Sequence, residues 1–414
     1  MDIFEPRKIK LISWIKHINE NEFLIWDTKK AIKLKMKCNA KSLESLPCGS
    51  LVEIYGYIDN GEMCVENIKV VHVPARGEVA CIESVPEDPV EYTINYPLYV
   101  RHPSITRNIL VYFYTVEYTR RFLLKKGFIE LPTVVVGVSS DPGLRGASKI
   151  PVEIYGRIFE LQSSMIMYKQ LYASIFNRVF YTARNIRLEP VENTSSGRHL
   201  VEFTQVDIEC ADCSKDHVVE IAEKTLYTVV KRIISKHSEL FPDKEIERLE
   251  REIIKPPYPK LTYDEALREA RSMGFDVKPG QELSFDAEVS LVNKYGVPVW
   301  VEGFPVESRG FYYIENPEKK GYNLDYNLLL PGLGEVLDGG CREYRYSQVL
   351  ERIIKRHRED PAKYKWFLEL LEAGLIRPTC GWGMGVERLV KYLCNLKHIA
   401  YATPHPRLPG VIGP

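Results

Sequence analysis

Two runs of alternating apolar residues, separated by a polar stretch, constrain the fold of this chain more than any other feature. They are RVFYTARNIRL at residues 178–188 and LVEFTQVDIEC at residues 200–210. Alternation with a period of two is the pattern of a half-buried strand, and the short polar stretch between the runs suits a connecting loop. The two runs therefore predict an antiparallel strand pair, and with it a fold built around an antiparallel sheet.

The predicted strand pair would bring cationic, aromatic and acidic side chains to one surface, because alternate residues of a strand share a face. A guanidinium for phosphate, an aromatic ring for a base and carboxylates for amino groups together describe a nucleotide site. The alternative is a surface ion pair beside a core aromatic residue. The residues concerned are Arg187 and Glu189 on the first strand, Arg198 and His199 in the loop, and Phe203 and Asp207 on the second strand.

A second group of polar residues lies in GLGEVLDGGCREY, residues 332–344. Glu335 and Asp338 are three residues apart and precede two glycines, so the backbone here can approach a ligand closely. Magnesium bound to nucleotide phosphates needs only one or two protein carboxylates. The alternative is a glycine-rich turn with solvated acids. Arg342 follows closely enough to share the same site.

A third motif, GWGMGVERL at residues 381–389, has three alternating glycines before Arg388 and an apolar helical run. Glycine spacing of this kind is by itself weak evidence for phosphate binding. The motif is not a P-loop, because no Lys-Ser or Lys-Thr pair follows the glycines.

The first part of the chain, residues 8 to 73, contains five short strand patterns with turn signals between them. Five strands within such a length predict a small barrel of the OB type. The segment 28–43 has no acidic residue. Its lysines form either a solvated strand face or a patch that follows a nucleic-acid backbone. The lysines proposed for the second role are Lys30, Lys33, Lys35 and Lys37.

Four prolines with acids between them occur in residues 74–100 and predict an extended linker. Beyond the linker, helical patterns alternate irregularly with strand patterns, as in the capping-box spacing of Thr262 and Glu265. The predicted class is therefore α+β, with helices flanking an antiparallel sheet. The predicted division is a barrel at residues 1–75, a linker at 76–100 and a larger domain at 101–414.

Composition limits the partners and the compartment. The 56 basic and 56 acidic residues balance, so any nucleic acid must be held by local patches. The chain has no run of 18 apolar residues and no signal-peptide core, which predicts a cytoplasmic protein without a membrane partner. Nine scattered cysteines fit a reducing compartment, and the pair Cys210 and Cys213 lacks the further ligands of a metal site.

Together, the motifs resemble the class II aminoacyl-tRNA synthetases of the aspartyl/asparaginyl group, over essentially the whole chain. IRLE with RHLVEFTQVDIE is similar to motif 2 of that family, GMGVERL to motif 3 and GFIELP more loosely to motif 1. The N-terminal barrel is similar to the anticodon-binding OB domain of the group. The resemblance implies aminoacyl-adenylate formation with ATP and Mg²⁺, followed by transfer to tRNA.

The resemblance also implies roles for individual residues on the ATP side. Arg187 would hold the α-phosphate and Arg388 the γ-phosphate, and both are assigned to catalysis. Phe203 would stack on adenine with Glu189 near its amino group. Glu335 would contact ATP and bind Mg²⁺ with Asp338, and Arg198 and His199 would touch phosphates or the acceptor end of tRNA.

On the amino-acid side, the resemblance implies a pocket that contains Ser164, Lys169, Asp207 and Arg342. Lys169 falls where aspartate-specific members carry a lysine for the side-chain carboxylate, and Arg342 would complete a clamp of two cations. A buried ammonium that faced a neutral amide would be left uncompensated. The sequence therefore favours aspartate over asparagine, with Asp207 as the ligand of the substrate ammonium.

Two other functions stay open. SMIMYKQ, NLLLPGLGEV and HPRLPG also resemble the archaeal asparagine synthetase-related paralogue, which makes free asparagine from aspartate, ATP and ammonia. That paralogue lacks the anticodon-binding domain, so the barrel favours the tRNA ligase. The third possibility is an inactive paralogue that binds tRNA or nucleotide. The family resemblance further implies a homodimer formed through residues 105–136, which are rich in apolar and aromatic side chains.

Overall fold

The computed structural model describes residues 8–19, 22–27, 30–37, 46–59, 62–76, 81–141 and 146–414. The chain divides into two compact units, residues 1–107 with 414 and residues 108–413. Among the described residues, no helix is both long and apolar enough to cross a membrane.

The first unit contains five strands whose order is β1-β2-β3-β5-β4, and the strands close into a barrel. Alternation determines which side chains point inward. On β4, Val52 and Ile54 are fully buried while Glu53 and Tyr55 between them are partly exposed, and Ile15 and Val65 complete this core. The strands are β1 (Lys8–Asn19), β2 (Glu22–Asp27), β3 (Lys30–Lys37), β4 (Leu51–Asp59) and β5 (Glu62–His72).

The segment predicted as an extended linker instead contains a helix, α1 (Pro89–Tyr99). The Asp88 side chain caps this helix by accepting hydrogen bonds from the backbone N–H groups of Val90 and Glu91 at 3.0 and 3.4 Å. Proline is well placed in the first turn of a helix, where its missing N–H would have no partner, so Pro89 begins α1. The prediction of an extended conformation is therefore wrong over these residues, because proline can also begin a helix.

Three disulfides among the described residues correct the prediction of reduced thiols. They join Cys48 with Cys81, Cys210 with Cys213, and Cys341 with Cys380. The last pair forms because Cys341 and Cys380 lie directly opposite each other on neighbouring strands, a proximity that sequence spacing does not reveal. Disulfides inside cells are known from hyperthermophilic archaea and bacteria, so reduced thiols do not follow from a cytoplasmic setting alone.

The second unit is built on a sheet of eight strands in the order β12-β13-β14-β15-β16-β11-β10-β6, with a separate sheet β7-β9-β8. Only the outermost pairs, β12 with β13 and β10 with β6, run parallel, so the large sheet is mainly antiparallel, as predicted. The first strands are β6 (Ile129–Glu130), β7 (Val136–Gly137), β8 (Pro151–Ile154), β9 (Arg157–Leu161), β10 (Arg178–Ile186) and β11 (Glu202–Ala211). The remaining strands are β12 (Lys260–Thr262), β13 (Val299–Glu302), β14 (Asp325–Leu330), β15 (Gly334–Cys341) and β16 (Thr379–Gly385).

Helices cover this sheet and carry the apolar core. The predicted capping box is present, since Thr262 and Glu265 exchange both hydrogen bonds at the start of the helix Tyr263–Ser272. Trp382 on β16 donates from Nε1 to the Val218 carbonyl at 3.2 Å. This bond holds the helix Lys215–Lys236 against the face of the sheet opposite the glycines of β16. The helices that follow α1 are α2 (Pro103–Lys125), α3 (Ile166–Phe176), α4 (Lys215–Lys236), α5 (Asp243–Glu252), α6 (Tyr263–Ser272), α7 (Phe285–Tyr295), α8 (Tyr346–Glu351), α9 (Lys365–Glu372) and α10 (Val386–Leu393).

Candidate active site

The predicted hairpin exists as β10 and β11, and it positions the first group of polar residues. Phe203 lies opposite Asn185 in the register. Arg187 follows the end of β10, and its backbone N–H still donates to the Val201 carbonyl at 2.8 Å. The Arg187 guanidinium donates to the Ser163 carbonyl at 3.2 and 3.3 Å and stacks over the Phe203 ring at 5.1 Å. Arginine and phenylalanine thus form one platform rather than a surface ion pair.

This platform is part of a cleft of about 240 Å³ at one end of the sheet. The loop between β10 and β11 bends through a 3₁₀ turn (Val191–Ser196) and a left-handed glycine, Gly197, before it reaches the cleft wall. The structure brings all the residues predicted for ATP together in the lining of this cleft. They are Arg187, Glu189, Arg198, His199, Phe203, Glu335 and Arg388.

Two of the alternating glycines of β16, Gly383 and Gly385, form the floor of the cleft. Gly381 and Gly383 pair with Glu209 and Asp207 on β11, so these residues share one face of the sheet. A Cβ on Gly381 would collide with the Glu209 carboxylate, and a Cβ on Gly383 would collide with the side chain of Gln205. The glycines therefore make room for polar side chains of the neighbouring strand, which differs from the phosphate-cradling role suggested by their spacing.

A β-bulge brings the two predicted metal carboxylates to one face. On a regular strand, residues three apart point to opposite sides. The register between β14 and β15 shifts beside Val336, and this extra residue turns Glu335 and Asp338 to the same cleft. The side chain of Asn327 links them, since it donates to Glu335 at 2.8 Å and accepts from Arg309, which also contacts Asp338.

Three carboxylates that line the cleft each face an arginine. Arg388 contacts Glu335 at 2.9 Å and Arg309 contacts Asp338 at 2.5 Å. The third pair is Arg198 with Glu288 on α7, at 3.7 Å. Burial and then repulsion from Glu335 raise the pKa of Glu288 to about 7, so this carboxyl is close to half protonated at neutral pH.

His199 is the neutral member of the cleft. Burial, together with the positive charges of Arg388 and Arg198, lowers the pKa of His199 to about 3. Its Nδ1 lies 2.7 Å from the Ser196 hydroxyl. At neutral pH His199 can therefore contribute hydrogen bonding but no charge.

A second and smaller cleft of about 80 Å³ adjoins the first and shares Arg187, Gln205, Glu335, Asp338 and Gly383 with it. The four residues predicted for amino-acid binding all line this second cleft. They are Ser164, Lys169, Asp207 and Arg342.

Two cations of the second cleft, Lys169 and Arg342, are already paired with buried carboxylates. Lys169 lies 3.1 Å from Asp207 and 3.4 Å from Glu209. Arg342 donates from Nε and Nη2 to the two Glu209 oxygens at 3.0 and 3.2 Å. Thr379 gives Glu209 a further hydrogen bond of 2.8 Å. Glu209 is therefore the anion that holds both cations in place.

Two buried polar atoms of this cleft make no hydrogen bond with the described part of the chain, Nη1 of Arg342 and Oδ2 of Asp207. A buried polar atom without a partner costs free energy, about 1–3 kcal/mol. Nη1 of Arg342 is a hydrogen-bond donor. Oδ2 of Asp207 is a carboxylate oxygen, which can accept hydrogen bonds from a cationic group. A ligand with an oxygen at one end and an ammonium at the other would satisfy both.

The sequence analysis missed Glu209, Glu288, Arg309 and Asp141, all of which contact or line the two clefts. Glu209 could have been found, because it stands two residues after Asp207 and must share its face. Glu288 and Arg309 have no such local signal, since they lie far along the chain from the motifs. The side chains of Lys30, Lys33, Lys35 and Lys37 are outside the described part of the structure.

A nucleotide-sized cleft on an antiparallel sheet, with an arginine platform and an adjoining charged pocket, is the arrangement of a class II synthetase. Comparison with known families agrees, because the family model described as "tRNA synthetases class II (D, K and N)" matches residues 90–409. The chain belongs to this family and is an aminoacyl-tRNA ligase of the aspartyl/asparaginyl group.

Among the similar proteins are the asparagine--tRNA ligases of Pyrococcus abyssi and Pyrococcus furiosus. Each is 30% identical over 362 residues, which is 85% of this chain and 80% of the relative. The ligase of Thermoplasma acidophilum with the same name is 28% identical over 292 residues, 69% of this chain and 65% of the relative.

Solved structures share the fold. The asparaginyl-tRNA synthetase of Pyrococcus horikoshii, complexed with asparaginyl-adenylate, has a TM-score of 0.84 at 24% identity, with 99% of this chain and 97% of that chain covered. The aspartyl tRNA synthetase of Entamoeba histolytica has a TM-score of 0.76 at 19% identity, with 99% and 90% covered. At these identities, the likeness establishes the fold alone.

Proposed function

We propose that this chain activates asparagine with ATP as an aminoacyl-adenylate and transfers the asparaginyl group to tRNA. The observation that carries the proposal is the pair of adjoining clefts with Arg187 in the lining of both. ATP bound in the larger cleft would present its α-phosphorus next to the carboxylate of an amino acid bound in the smaller cleft. Positioning of this kind can supply much of the rate enhancement without a nucleophilic side chain.

The residues of the larger cleft suit in-line displacement on ATP. Adenine would stack on Phe203, and Arg187 would bind the α-phosphate, where negative charge develops as the substrate carboxylate attacks and pyrophosphate leaves. A guanidinium suits this position because its planar fork can bond two phosphate oxygens at once. Glu189 would accept from the amino group of adenine, and Arg198, His199 and Arg388 would hold the outer phosphates.

Mg²⁺ fits the same cleft. The bulge in β15 turns Glu335 and Asp338 to one side, and Glu288 lies close enough to Glu335 for the pair to repel each other. A divalent cation would relieve that repulsion with one or two carboxylates, the number that Mg²⁺ needs when phosphates supply other ligands. Bound Mg²⁺ would neutralise charge on the phosphates. Arg388 would then exchange Glu335 for phosphate oxygens.

The contacts of Lys169 remove the sequence argument for aspartate. Lys169 lies 3.1 Å from Asp207 and 3.4 Å from Glu209. The sequence argument for aspartate assumed an uncompensated Lys169, whereas Asp207 and Glu209 compensate it. The names of the relatives at 30% identity support asparagine as well.

The second candidate function is synthesis of free asparagine from aspartate, ATP and ammonia. It draws support from Lys169 and Arg342, which both contact the Glu209 carboxylate and could together hold a substrate carboxylate that takes no part in the reaction. In that reaction the side-chain carboxylate would attack the α-phosphate. Ammonia would then displace AMP.

Exchange between ATP and pyrophosphate tests the proposal when it is measured with asparagine or aspartate, each with and without tRNA. We expect asparagine-dependent exchange and formation of asparaginyl-tRNA. Aspartate-dependent exchange, with asparagine formed from ammonium and without RNA, would establish the second function instead. If neither amino acid supports exchange, the chain is an inactive paralogue and the proposal fails.

For the first unit, we propose that the closed barrel at residues 1–75 is an OB-type tRNA-binding domain, that residues 76–100 connect it, and that residues 101–414 form the catalytic domain. The lysines at 33, 35 and 37 alternate along β3, so they share one strand face. Replacing all three with glutamine should weaken tRNA binding and reduce its log–log salt dependence by nearly one unit per lost phosphate contact. Filter binding at several salt concentrations measures both quantities. Unaltered tRNA binding, with unaltered exchange as the control for folding, would contradict the assignment.

We also propose a symmetric homodimer through the region predicted from motif 1. Large apolar side chains are exposed there, among them Phe113 at 53%, Ile129 at 44% and Val135 at 49%. Such patches mark interfaces in soluble proteins. Sedimentation equilibrium at micromolar concentration should give twice the chain mass of 47.8 kDa. A single-chain mass under those conditions would exclude the dimer.

A further inference from the structure

A buried carboxylate outside both clefts is connected to Arg187 through a series of hydrogen bonds. Glu160 lies on β9 of the small sheet, and its residue exposure is 9%. The described residues that line the larger and the smaller cleft do not include Glu160. Burial of a carboxylate is costly unless it is paired and hydrogen-bonded, so the partners of Glu160 indicate why it is there.

The first partner of Glu160 is the segment that follows β7. β7 and β9 pair through Gly137 and Glu160. Three residues beyond Gly137, the backbone N–H of Ser140 donates to Oε2 of Glu160 at 2.7 Å. A hydrogen bond to a carboxylate is charge-assisted and stronger than one between neutral groups. Glu160 therefore fixes the course of the chain after β7.

Ser140 is bonded in turn to Ser163, which follows β9. The Oγ of Ser140 accepts the backbone N–H of Ser163 at 2.9 Å and lies 2.6 Å from the Oγ of Ser163. Both serines are almost fully buried, so water does not compete for these bonds. The Ser163 backbone is therefore held by the segment that Glu160 fixes.

The Ser163 carbonyl is the group that accepts from the Arg187 guanidinium, at 3.2 and 3.3 Å. The residues that follow the two serines line the smaller cleft, Asp141 after Ser140 and Ser164 after Ser163. The contacts that begin at Glu160 thus lead to the residue shared by both clefts and to the wall of the amino-acid pocket.

Lys149 supports Glu160 from the other side. Its Nζ lies 3.9 Å from Oε2 of Glu160 and donates to Glu359 at 3.1 Å and to the Tyr364 hydroxyl at 2.9 Å. The ammonium thus offsets the charge of Glu160, while its own hydrogen bonds go to Glu359 and Tyr364. Glu160 is therefore held between this ammonium and the Ser140 backbone.

We propose that Glu160 is a positioning residue for adenylate formation and acts through Ser140 and Ser163 on the Arg187 guanidinium. This inference rests on the proposed function, in which Arg187 binds the α-phosphate. Glu160 contacts no substrate and transfers no proton. It restricts the position of Arg187, and a misplacement of about 1 Å at a reacting centre can cost about a hundredfold in rate.

Exchange between ATP and pyrophosphate, measured on the full chain for kcat and for the KM of ATP, tests this role. Glu160→Ala should lower kcat about tenfold and change the KM of ATP less than about twofold, because the interaction it disturbs is made mainly in the transition state. Glu160→Gln keeps an oxygen that can accept the Ser140 N–H, so its kcat should stay within about threefold of the wild type. Glu153→Ala is the matched control, since Glu153 is an exposed glutamate on the neighbouring strand β8, and it should alter neither constant.

A double-mutant cycle with Arg187 separates positioning from a general structural role. Glu160→Ala should cost about tenfold in the wild type but less than about twofold in an Arg187→Ala background, because residues that act through one another do not contribute additively. Equal losses in the two backgrounds would overturn the proposal, and so would a Glu160→Gln enzyme as slow as Glu160→Ala. If Glu160→Ala does not fold, Ser140→Ala takes its place in the cycle, because it removes the acceptor of the Ser163 N–H, and the same outcomes decide.

Failure of this inference is distinguishable from failure of the proposed function. A wild-type chain without amino-acid-dependent exchange would refute both. A wild type that is active and depends on Arg187, but shows additive losses in the cycle, would refute the role of Glu160 alone.

Discussion

Replacing Arg187 with alanine is expected to slow adenylate formation about a hundredfold or more, the usual cost of removing one donor that stabilises charge in a transition state. Arg187 lines both clefts, and its guanidinium is held by the Ser163 carbonyl and the Phe203 ring. In the proposed reaction, negative charge develops on the α-phosphate next to the Arg187 guanidinium. Amino-acid-dependent exchange between ATP and pyrophosphate measures the loss.

The matched control for this experiment is Arg178→Ala. Arg178 stands at the other end of β10 and donates to the Lys126 carbonyl at 3.0 Å, outside the lining of both clefts. Arg187→Lys separates charge from geometry, because lysine keeps the charge and loses the planar fork. It should therefore have intermediate activity. An Arg187→Ala enzyme with exchange within threefold of the wild type would remove Arg187 from the mechanism.

Glu209→Ala should lower the free energy of unfolding by about 3–5 kcal/mol, the range measured when one partner of a buried ion pair is removed. Glu209 is fully buried and contacts both Lys169 and Arg342. Its loss leaves Lys169 with Asp207 alone and removes the carboxylate that Arg342 contacts. Urea unfolding measures the stability. Asparagine-dependent exchange should fall as well, because Arg342 would no longer be held in place.

Glu202→Ala tests whether this cost comes from burial. Glu202 begins the same strand and pairs with Arg184, but both side chains are 35% exposed. Exposed pairs contribute only about 0–1 kcal/mol. Similar losses in the two variants would show that the cluster around Glu209 has no special electrostatic role.

Local periodicity was enough to predict the hairpin that organises the site. Alternation over 178–188 and 200–210 gave β10 and β11 within two residues at each end. It also gave the shared face of Phe203 and Asp207, because the period of a strand is fixed by covalent geometry. The motifs in this hairpin, in β15 and at the start of α10 therefore contain many of the residues that line the two clefts.

The other features of the site depend on contacts between segments that are distant in the sequence. Glu335 and Asp338 would point apart on a regular strand, and only the register shift against β14 brings them together. Arg309 and Glu288 reach the cleft only through the packing of segments that lie outside the motifs identified from the sequence. The contacts of Lys169 on α3 with Asp207 and Glu209 on β11 could not be read from local sequence patterns, which is why the sequence favoured aspartate.

The glycine floor of the cleft determines how this enzyme could acquire a new specificity. On β16, any side chain at 381 or 383 would occupy space already filled by residues of β11, so the strand beneath the substrates has no room for variation. A selection for a larger or differently charged amino acid would have to draw its substitutions from the walls, at Lys169, Asp141 or Tyr312. Laboratory libraries that spare the floor and randomise those three positions should therefore yield a higher fraction of folded variants than libraries centred on β16.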